Sequence, residues 1–408
     1  MPNITTKFID GNTDLGGKGL VTREYIMDVY PNLAPGIKTP ALWIWGNNYS
    51  GQLGDGTTTN RSSPVQTMTG GTNWKQVACG ALHSAAIKTD GTLWLWGRND
   101  DYVRGTGVLG DNTVVSKSSP VQIVTGGTWT QVSGGYLHAA AIKTDGTLWT
   151  WGNNLYGGAL GDNTTDSKSS PVQTITGGTN WKQVSCGGLS TAAIKTDGTL
   201  WLWGTNYNGR LGDNTTTRRF SPVQTVTGGT NWSQVACGGN SQGYGHTAAI
   251  KTDGTLWLWG RNSNGQLGDN TTTSKSSPVQ TITGGTNWKQ VSCGDRHTAA
   301  IKSDGTLWTW GMNNRGQLGT GNISGRSSPV QTITGGTTWK QVACGNECTA
   351  AVKTDGTLWT WGRNISGQLG DNTTTNRSSP GQTIMRGTTW KQVSCGGDHT
   401  AAIADGNY

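Results

Sequence analysis

The sequence predicts an all-β fold: a seven-bladed β-propeller of four-stranded antiparallel blades, preceded by a short arm outside the propeller. The stretch from Lys88 to Gly97 recurs in near-copies, and the glycines that end the copies lie 51 to 56 residues apart. Periods of this size are typical of stacked or circular repeats. Each repeat holds four short strand candidates, and four antiparallel strands repeated seven times indicate a propeller. The glycines that end the copies are Gly46, Gly97, Gly152, Gly204, Gly260, Gly311 and Gly362.

The composition excludes the other common fold classes. Of 408 residues, 65 are glycine and only 13% are charged, so the chain lacks the helix formers that a helical bundle needs. Disorder is excluded as well, since 21 tryptophans supply a large apolar surface to bury. Every tryptophan falls in the repeats, three in each unit. Tryptophan packing is therefore expected to hold the fold together.

Residues 1–40 lie outside the repeats and are interpreted as a docking arm. Thr22 is a candidate N-cap and Pro31 a stop signal, so the segment between them predicts a short helix. A helix of this length is marginal alone. It either packs on the repeat domain or docks into a partner. The residues expected on its contact face are Tyr25, Ile26, Val29 and Tyr30.

Residues 41–408 form the repeat domain, and one unit illustrates its elements. The strand candidates of that unit are Trp74–Cys79, His83–Lys88, Thr92–Trp96 and Pro120–Val124. An Asp-Gly pair between the second and third candidates is a strong hairpin signal. In the third strand, side-chain alternation places Trp94 and Trp96 on one face and two leucines on the other. Both faces are apolar, so we expect the strand to lie between two neighbouring blades.

The two ends of the repeat domain predict how the ring closes. The last unit supplies Trp390–Cys395 and His399–Ala404, and it lacks the strand that carries the paired tryptophans. That strand stands at the start of the domain, as Leu42–Trp45, and Pro64–Met68 follows it. We therefore expect a composite last blade that takes two strands from each end of the chain.

Charge and apolar patterning limit the partners and the compartment. The net charge is +8 and the pI is about 9.1, but the lysines are spread through the repeats without a basic run. No nucleic-acid partner is therefore expected. No stretch reaches the roughly 20 apolar residues that a membrane span needs. The first residues lack the apolar segment of a secretory signal, so we expect synthesis in the cytoplasm.

Cysteine and histidine recur at fixed repeat positions, and we interpret both as structural. Six of the seven cysteines share one position, and equivalent positions in neighbouring blades are too far apart for disulfides, which favours buried free thiols. The five histidines share another position and cannot converge within about 2 Å of one ion, so no metal site is expected. No nucleophile–base pair or phosphate-binding loop stands out, and neither a catalytic residue nor a cofactor is expected.

The repeat motif resembles that of the regulator of chromosome condensation family. The resemblance rests on Gly260 to Asp269, on Pro278, and on the segments 293–301 and 304–311. It covers residues 41–403 and implies a seven-bladed propeller. Its functional implications are diverse: the founding member is a nucleotide exchange factor for the GTPase Ran and binds chromatin, and similar propellers are β-lactamase inhibitors, ubiquitin-ligase modules or structural parts. No exchange-site residue is transferred, because the sequence shows no wedge-like insertion.

The segment from Asp14 to Tyr25 resembles the short leaders of tail or fibre proteins of large bacteriophages. This resemblance implies a virion-associated protein. In that interpretation residues 1–40 attach the propeller to the virion assembly.

The interruptions of the repeat map to one predicted face. The first–second and third–fourth strand connections are expected on the same side of the disc, and the insertions at 100–107, 155–158 and 240–245 fall there. Loops carry function on rigid scaffolds, and Tyr and Arg are enriched in binding hot spots. Ordinary drift of surface loops is the alternative. The residues predicted to form the partner-binding face are Tyr49, Tyr102, Arg104, Tyr136, Tyr156, Tyr207, Arg210 and Tyr244.

These features together predict a non-enzymatic binding or structural module, part of a virion tail, fibre or baseplate, that presents its loop face to a protein or a glycan. One alternative is a regulatory protein of the family that the motif resembles, such as a guanine-nucleotide exchange factor for a small GTPase. Another is a protein inhibitor or a lectin.

Overall fold

The computed structural model describes residues 13–14, 20–21, 40–69, 71–100, 105–240, 242 and 245–405. The chain divides into two units, whose main segments are Met1–Thr39 and Pro40–Gly406. In the first unit, strand β1 (Thr13–Asp14) pairs antiparallel with β2 (Leu20–Val21). The helix expected between Thr22 and Pro31 lies outside the described residues, and so do its contact-face residues Tyr25, Ile26, Val29 and Tyr30.

The second unit consists of short strands joined by turns and loops. A turn of 3-10 helix at Tyr207–Gly209 is the one helical segment among the described residues. No helix in the described part of the chain is long and apolar enough to cross a membrane. The strands, in chain order, are β3 (Pro40–Gly46), β4 (Arg61–Gln66), β5 (Trp74–Cys79), β6 (His83–Lys88), β7 (Leu93–Gly97), β8 (Lys117–Gln122), β9 (Trp129–Gly134), β10 (His138–Lys143), β11 (Leu148–Gly152), β12 (Lys168–Gln173), β13 (Trp181–Cys186), β14 (Ser190–Lys195), β15 (Leu200–Gly204), β16 (Arg219–Gln224), β17 (Trp232–Cys237), β18 (His246–Lys251), β19 (Leu256–Gly260), β20 (Lys275–Gln280), β21 (Trp288–Cys293), β22 (His297–Lys302), β23 (Leu307–Gly311), β24 (Arg326–Gln331), β25 (Trp339–Cys344), β26 (Cys348–Lys353), β27 (Leu358–Gly362), β28 (Arg377–Gln382), β29 (Trp390–Cys395) and β30 (His399–Asp405).

These strands form the blades of a propeller. Among the described residues, β3–β30 make seven four-stranded sheets, and sequential strands within a blade pair antiparallel. Blades 1 to 6 are β5–β8, β9–β12, β13–β16, β17–β20, β21–β24 and β25–β28. Blade 7 is composite, with the order β29-β30-β3-β4, and Pro40 at the start of β3 lies opposite Asp405 at the end of β30. The predicted seven-bladed, four-stranded fold is confirmed.

The first strand of each blade lies innermost, and glutamine side chains join these strands into a ring. Each first strand contacts the first strand of the next blade, including the contact of β29 with β5 that closes the circle. The amide N–H of Val77 donates to Oε1 of Gln392 across that closing junction at 3.0 Å. The same valine-to-glutamine bond spans the other six blade junctions at 2.8 to 3.1 Å.

The turn between the second and third strands follows directly from its sequence. Gly91 has a φ of +83°, a left-handed conformation that glycine adopts without strain. The carboxylate of Asp90 accepts the amide N–H and the hydroxyl of Thr92, at 2.9 and 2.7 Å. The Thr92 hydroxyl in turn accepts the indole N–H of Trp94 at 2.9 Å. The Asp-Gly-Thr motif therefore forms the turn and orients the first tryptophan of the next strand.

The fourth strand of each blade begins earlier than the sequence predicts. In blade 1 the expected strand is Pro120–Val124, whereas the strand β8 runs from Lys117 to Gln122. Lys117 pairs with Gly97 because a bulge shifts the register after the Leu95–Val121 pair. Such a bulge cannot be recognised from strand alternation, which it interrupts.

The apolar core lies between the blades. Trp96 packs with Trp74, Val77 and residues of blade 7, while Leu93 and Leu95 on the other side of the same strand pack against blade 2. The indole N–H of Trp96 donates to the Gln52 carbonyl of the neighbouring blade at 2.9 Å. Both faces of the strand are therefore buried by neighbouring blades, as expected from its apolar pattern.

Candidate functional site

The connections between strands place all the irregular loops at one end of the propeller. Because sequential strands of a blade are antiparallel, the first–second and third–fourth connections leave the sheet on the same side. We call this side the loop face. Its first–second connections are 80–82, 135–137, 187–189, 238–245, 294–296, 345–347 and 396–398, and its third–fourth connections are 47–60, 98–116, 153–167, 205–218, 261–274, 312–325 and 363–376.

A cavity of about 210 Å³ opens where the inner strands reach the loop face. Its wall consists of the cysteines and glycines that end the first strands, together with polar groups from the connections. Glycine is required by the close approach of the blades: a Cβ on Gly238 would lie 2.1 Å from the carbonyl oxygen of Gly294. The larger side chains that line the cavity are Tyr136, Asn240, Asp295 and Asn346.

The third–fourth connections have a rigid, repeated base. In blade 7 the buried Asn48 donates from Nδ2 to Asp55 at 3.0 Å and accepts the amide N–H of Leu53 at 2.9 Å. Burial raises the pKa of Asp55, but hydrogen bonds from Thr57, Arg61 and Asn48 outweigh burial, and the net pKa is lowered. Asp55 is therefore an ionised structural anchor for the exposed residues of its loop.

All five repeated histidines are buried beneath the loop face, and four of them bond across the blade junctions. Nε2 of His138 lies 2.9 Å from the hydroxyl of Thr191 in the next blade. Three other histidines make the same contact at 2.7 to 2.9 Å. Burial lowers the pKa of His138 to about 4, so the ring is neutral near pH 7. Among the described residues, no group of three or more His, Cys, Asp or Glu side chains could hold a metal ion.

The residues predicted for the partner-binding face differ in their exposure to solvent. Tyr49, Tyr156 and Tyr207 are 76%, 53% and 51% exposed. Tyr136 is half-buried and lines the cavity. Tyr102, Arg104 and Tyr244 lie outside the described residues.

The expectation that Arg210 lies on the exposed face is wrong. Its side chain is only 1% exposed. It occupies the loop position that holds buried glutamines in four other units, and the surrounding chain covers this position. The glutamines are Gln52, Gln266, Gln317 and Gln368.

Sequence reasoning missed a set of ion pairs between connections of the loop face. Glu347 lies 3.3 Å from Arg363 and 3.7 Å from Arg315, and Arg363 also lies 3.5 Å from Asp398. The sequence signal that could have revealed these ion pairs is the residue directly before the histidine position. It is leucine in blades 1 to 3, at Leu82, Leu137 and Leu189, but charged in blades 5 to 7, at Arg296, Glu347 and Asp398. The first–second connections of the loop face therefore carry leucine at this position in blades 1 to 3 and a charged side chain in blades 5 to 7.

Sequence profiles of known families match nearly the whole propeller. The regulator of chromosome condensation (RCC1) repeat matches residues 41–87 and 90–142, and the RCC1-like domain matches residues 156–408. The ultraviolet-B receptor UVR8 of Arabidopsis thaliana is 34% identical over 342 residues, which cover 82% of this chain and 76% of the receptor. The mitochondrial RCC1 domain-containing protein RUG3 of the same plant is 29% identical over 403 residues, which cover 88% and 85%.

Solved structures share the same fold. Prp20p of Saccharomyces cerevisiae, described together with its binding to Gsp1p and histones, superposes with a TM-score of 0.78 at 18% identity. The match covers 94% of this chain and 95% of Prp20p. At this identity the likeness shows the fold alone.

These comparisons overturn the interpretation as a virion-associated protein. The relatives that match over most of the chain are a plant receptor and a mitochondrial RCC1-domain protein, and none of these matches points to a virus particle. The virion interpretation came from the few residues between Asp14 and Tyr25, whereas the matches extend over the propeller. A tail, fibre or baseplate role with an arm docked to a virion is therefore wrong.

Proposed function

Because the chain belongs to the RCC1 repeat family, we propose that it is a regulatory protein-binding propeller whose loop face docks a protein partner. One observation carries this proposal: on the loop face the repeat is interrupted by exposed tyrosines and, in blades 5 to 7, by charged side chains. Tyr49, Tyr156 and Tyr207 are each more than half exposed on third–fourth connections. Tyrosine and arginine are enriched in protein-binding hot spots.

The opposite face supports the assignment by contrast. Its Asp-Gly-Thr turns repeat in six blades, and each aspartate is bonded to the threonine two residues later. Such a uniform surface offers no feature by which one partner would be distinguished from another. Selectivity therefore belongs to the loop face.

The first class of partner to test is a small GTPase. Prp20p has the same fold, and its description includes binding to Gsp1p. Release of labelled nucleotide from a panel of purified small GTPases tests exchange activity directly. If no GTPase binds the protein or releases its nucleotide faster in the presence of the protein, the partner belongs to another protein class. The docking face is then tested with partners captured from extracts.

The docking face is tested by replacing Tyr49, Tyr156 and Tyr207 together with serine. The matched control replaces Val226, Ile282 and Ile333 with serine, since these apolar side chains are 54%, 57% and 63% exposed and lie two residues after the fourth strands, outside the connections that carry the tyrosines. We expect the tyrosine variant to bind its partner at least about tenfold more weakly, because hot-spot aromatic residues carry much of the binding energy. The control should bind as the wild type does.

Binding is measured with the purified partner by calorimetry, and circular dichroism checks that both variants are folded. Equal affinity of all three proteins would show that the partner docks elsewhere.

A further inference from the structure

The face that carries the Asp-Gly-Thr turns, which we call the turn face, has one position that varies from blade to blade. It is the second residue of the innermost strand, directly after the tryptophan that pairs with the lysine before the turn, as Trp74 pairs with Lys88. The position therefore lies at the turn-face end of that strand. It holds an exposed lysine in five blades and a hydroxyl residue in two: Lys75, Thr130, Lys182, Ser233, Lys289, Lys340 and Lys391.

The blade does not require a lysine at this position. The hydroxyl of Thr130 donates to the Ile142 carbonyl at 3.1 Å, and that of Ser233 donates to the Ile250 carbonyl at 2.9 Å. Both bonds lie within one blade, between the first and the second strand. Since a short hydroxyl side chain suffices there, the lysines add an exposed charge that strand pairing does not need.

Four of the five lysines occupy successive blades around the ring. We call this set the lysine arc, and its members, in blades 5, 6, 7 and 1, are Lys289, Lys340, Lys391 and Lys75. The glutamine that follows each of the first three lysines bonds to the innermost strand of the next blade, at 2.9 to 3.0 Å. The arc is therefore a row of single charges, one to a blade, on strands that are bonded to one another.

Blade 7 shows what these lysines bind. Nζ of Lys391 forms an ion pair with Oδ2 of Asp405, which is the first residue after the strand position that holds lysine in the other blades. Within the described part of the chain, the other three lysines of the arc form no ion pair. The residues that stand in place of Asp405 in their blades are Thr89, Ser303 and Thr354. Three lysines of the arc thus lack the carboxylate that the fourth one has.

The turns beside the arc do not supply the missing negative charge. Hydrogen bonds from Thr92, and further the charge of Lys88, lower the pKa of Asp90, so its turn carries one negative and one positive charge. The same lysine and aspartate recur in the other five turns. Arg386, in the connection that leads into blade 7, adds another exposed positive charge. The turn face is therefore positively charged along the arc.

We propose that the lysine arc docks an acidic segment of a protein partner, whose carboxylates bind Lys75, Lys289 and Lys340 as Asp405 binds Lys391. Complementary charges steer the encounter of two proteins and fix the register of the bound partner. The arc suits a polypeptide better than a nucleic acid, because the exposed aromatic side chains in the described part of the chain, which could stack on bases, all lie on the loop face. This site does not depend on the function proposed for the loop face, since it uses other residues on another face.

The probe is a fluorescently labelled oligoglutamate peptide, and its binding is measured by fluorescence anisotropy at low ionic strength. The arc variant replaces Lys75, Lys289 and Lys340 together with glutamine. We expect its dissociation constant to be about tenfold higher than that of the wild type, because three exposed ion pairs are lost. Added salt should weaken the binding of the wild type, since exposed charges are screened.

The matched control replaces Lys117, Lys168 and Lys275 with glutamine, which removes the same net charge from the starts of β8, β12 and β20. It should bind the peptide nearly as the wild type does. Circular dichroism checks that both variants are folded.

A second variant should strengthen binding. Asp405→Asn removes the internal partner of Lys391 and should lower the dissociation constant about twofold, because one more exposed ion pair can form. Asp166→Asn, which changes the net charge equally at an exposed position of a third–fourth connection, should not. The proposal is overturned if the wild type does not bind oligoglutamate, or if the arc variant and its control lose the same affinity. It is also overturned if duplex DNA or phosphatidylserine vesicles bind through the arc while oligoglutamate does not.

Discussion

At the scale of single residues, the second strands show what one substitution does to a bond that is otherwise repeated. His138, His246, His297 and His399 each contact a hydroxyl in the next blade. His83 faces Ala139 at the same position, and its buried Nε2 has no hydrogen-bond partner among the described residues. An unsatisfied buried polar atom costs free energy that a partner could recover.

We therefore expect Ala139→Thr to stabilise the protein by about 1 kcal/mol, the typical net value of one hydrogen bond. The new hydroxyl would contact His83 Nε2, and it would also donate to the Val108 carbonyl, which accepts Trp151 at 2.8 Å. The measurement is the free energy of unfolding in urea. The control is the same change combined with His83→Ser, which introduces the residue that blade 3 carries at Ser190, and the gain should shrink there. A loss of stability in both backgrounds would mean that the methyl group does not fit.

At the scale of the strand, the third strand of each of the six continuous blades combines a fully buried tryptophan with one that supports a lysine. Nζ of Lys195 lies 4.8 Å from the ring centre of Trp181 and 5.0 Å from that of Trp201. The same lysine position lies over two tryptophans in the other five continuous blades. These lysines are structural cations, which explains how a net charge of +8 can arise without a basic patch.

Replacing the two tryptophans of one strand with alanine should lower the free energy of unfolding by different amounts. Trp203 is fully buried, contacts Trp181 edge-on at 6.4 Å, and donates to the Ala159 carbonyl at 2.8 Å. We expect Trp203→Ala to lower the free energy of unfolding by ~3–5 kcal/mol through the cavity it leaves. Trp201→Ala, on the same strand but only half-buried, is the control and should cost less. Urea denaturation measures both, and equal losses would contradict the assignment of Trp203 to the core.

At the scale of the whole molecule, the buried histidines make the ring sensitive to acid. Burial lowers the pKa of His83 and His246 to about 3, and of His138, His297 and His399 to about 4. In the unfolded chain each histidine titrates near 6.5. Between these values the unfolded chain binds protons that the fold excludes. The stabilisation is therefore fully present above about pH 6.5 and is lost as the pH falls toward 4.

We expect the free energy of unfolding to fall between pH 7 and pH 5, by up to about 1.4 kcal/mol per pH unit for each histidine. Burial raises the pKa of Asp295 and Asp398, and these two groups oppose the trend as they take up protons in the fold. Denaturation at a series of pH values measures the slope. His83→Ser should reduce the slope by about the contribution of one histidine. A free energy of unfolding that stays constant between pH 7 and pH 5 would contradict the assignment of the buried histidines as neutral.

Much of the fold could be predicted from the sequence because it is encoded locally. The spacing of the Leu-Trp-x-Trp-Gly stretch indicated seven blades, and the missing strand after Ala404 indicated the composite sheet in which β3 pairs with β30. The resemblance of the repeat motif to the RCC1 family is also confirmed. The start of each fourth strand could not be predicted, because it depends on a bulge.

The candidate site was much less accessible to sequence reasoning. The insertions and the tyrosines indicated a variable face, and Tyr49, Tyr156 and Tyr207 are exposed there. The sequence places Arg210 on the same surface by its strand connection and its residue type, although the fold buries its side chain. Glu347 of blade 6 pairs with Arg363 of the same blade and with Arg315 of blade 5. The sequence shows only that the residue before the histidine position is charged in blades 5 to 7, and it does not show the partners.

The sequence by itself determined the propeller, its number of blades and the residues between them, because strand alternation and a period near 50 residues are local properties of the chain. Only the tertiary structure decided which loop side chains are exposed, which charges are paired and which donors are left unused. Those properties depend on distances between blades that are far apart in sequence. The cation at Arg210 is the clearest case, since its environment is built by connections from three successive blades.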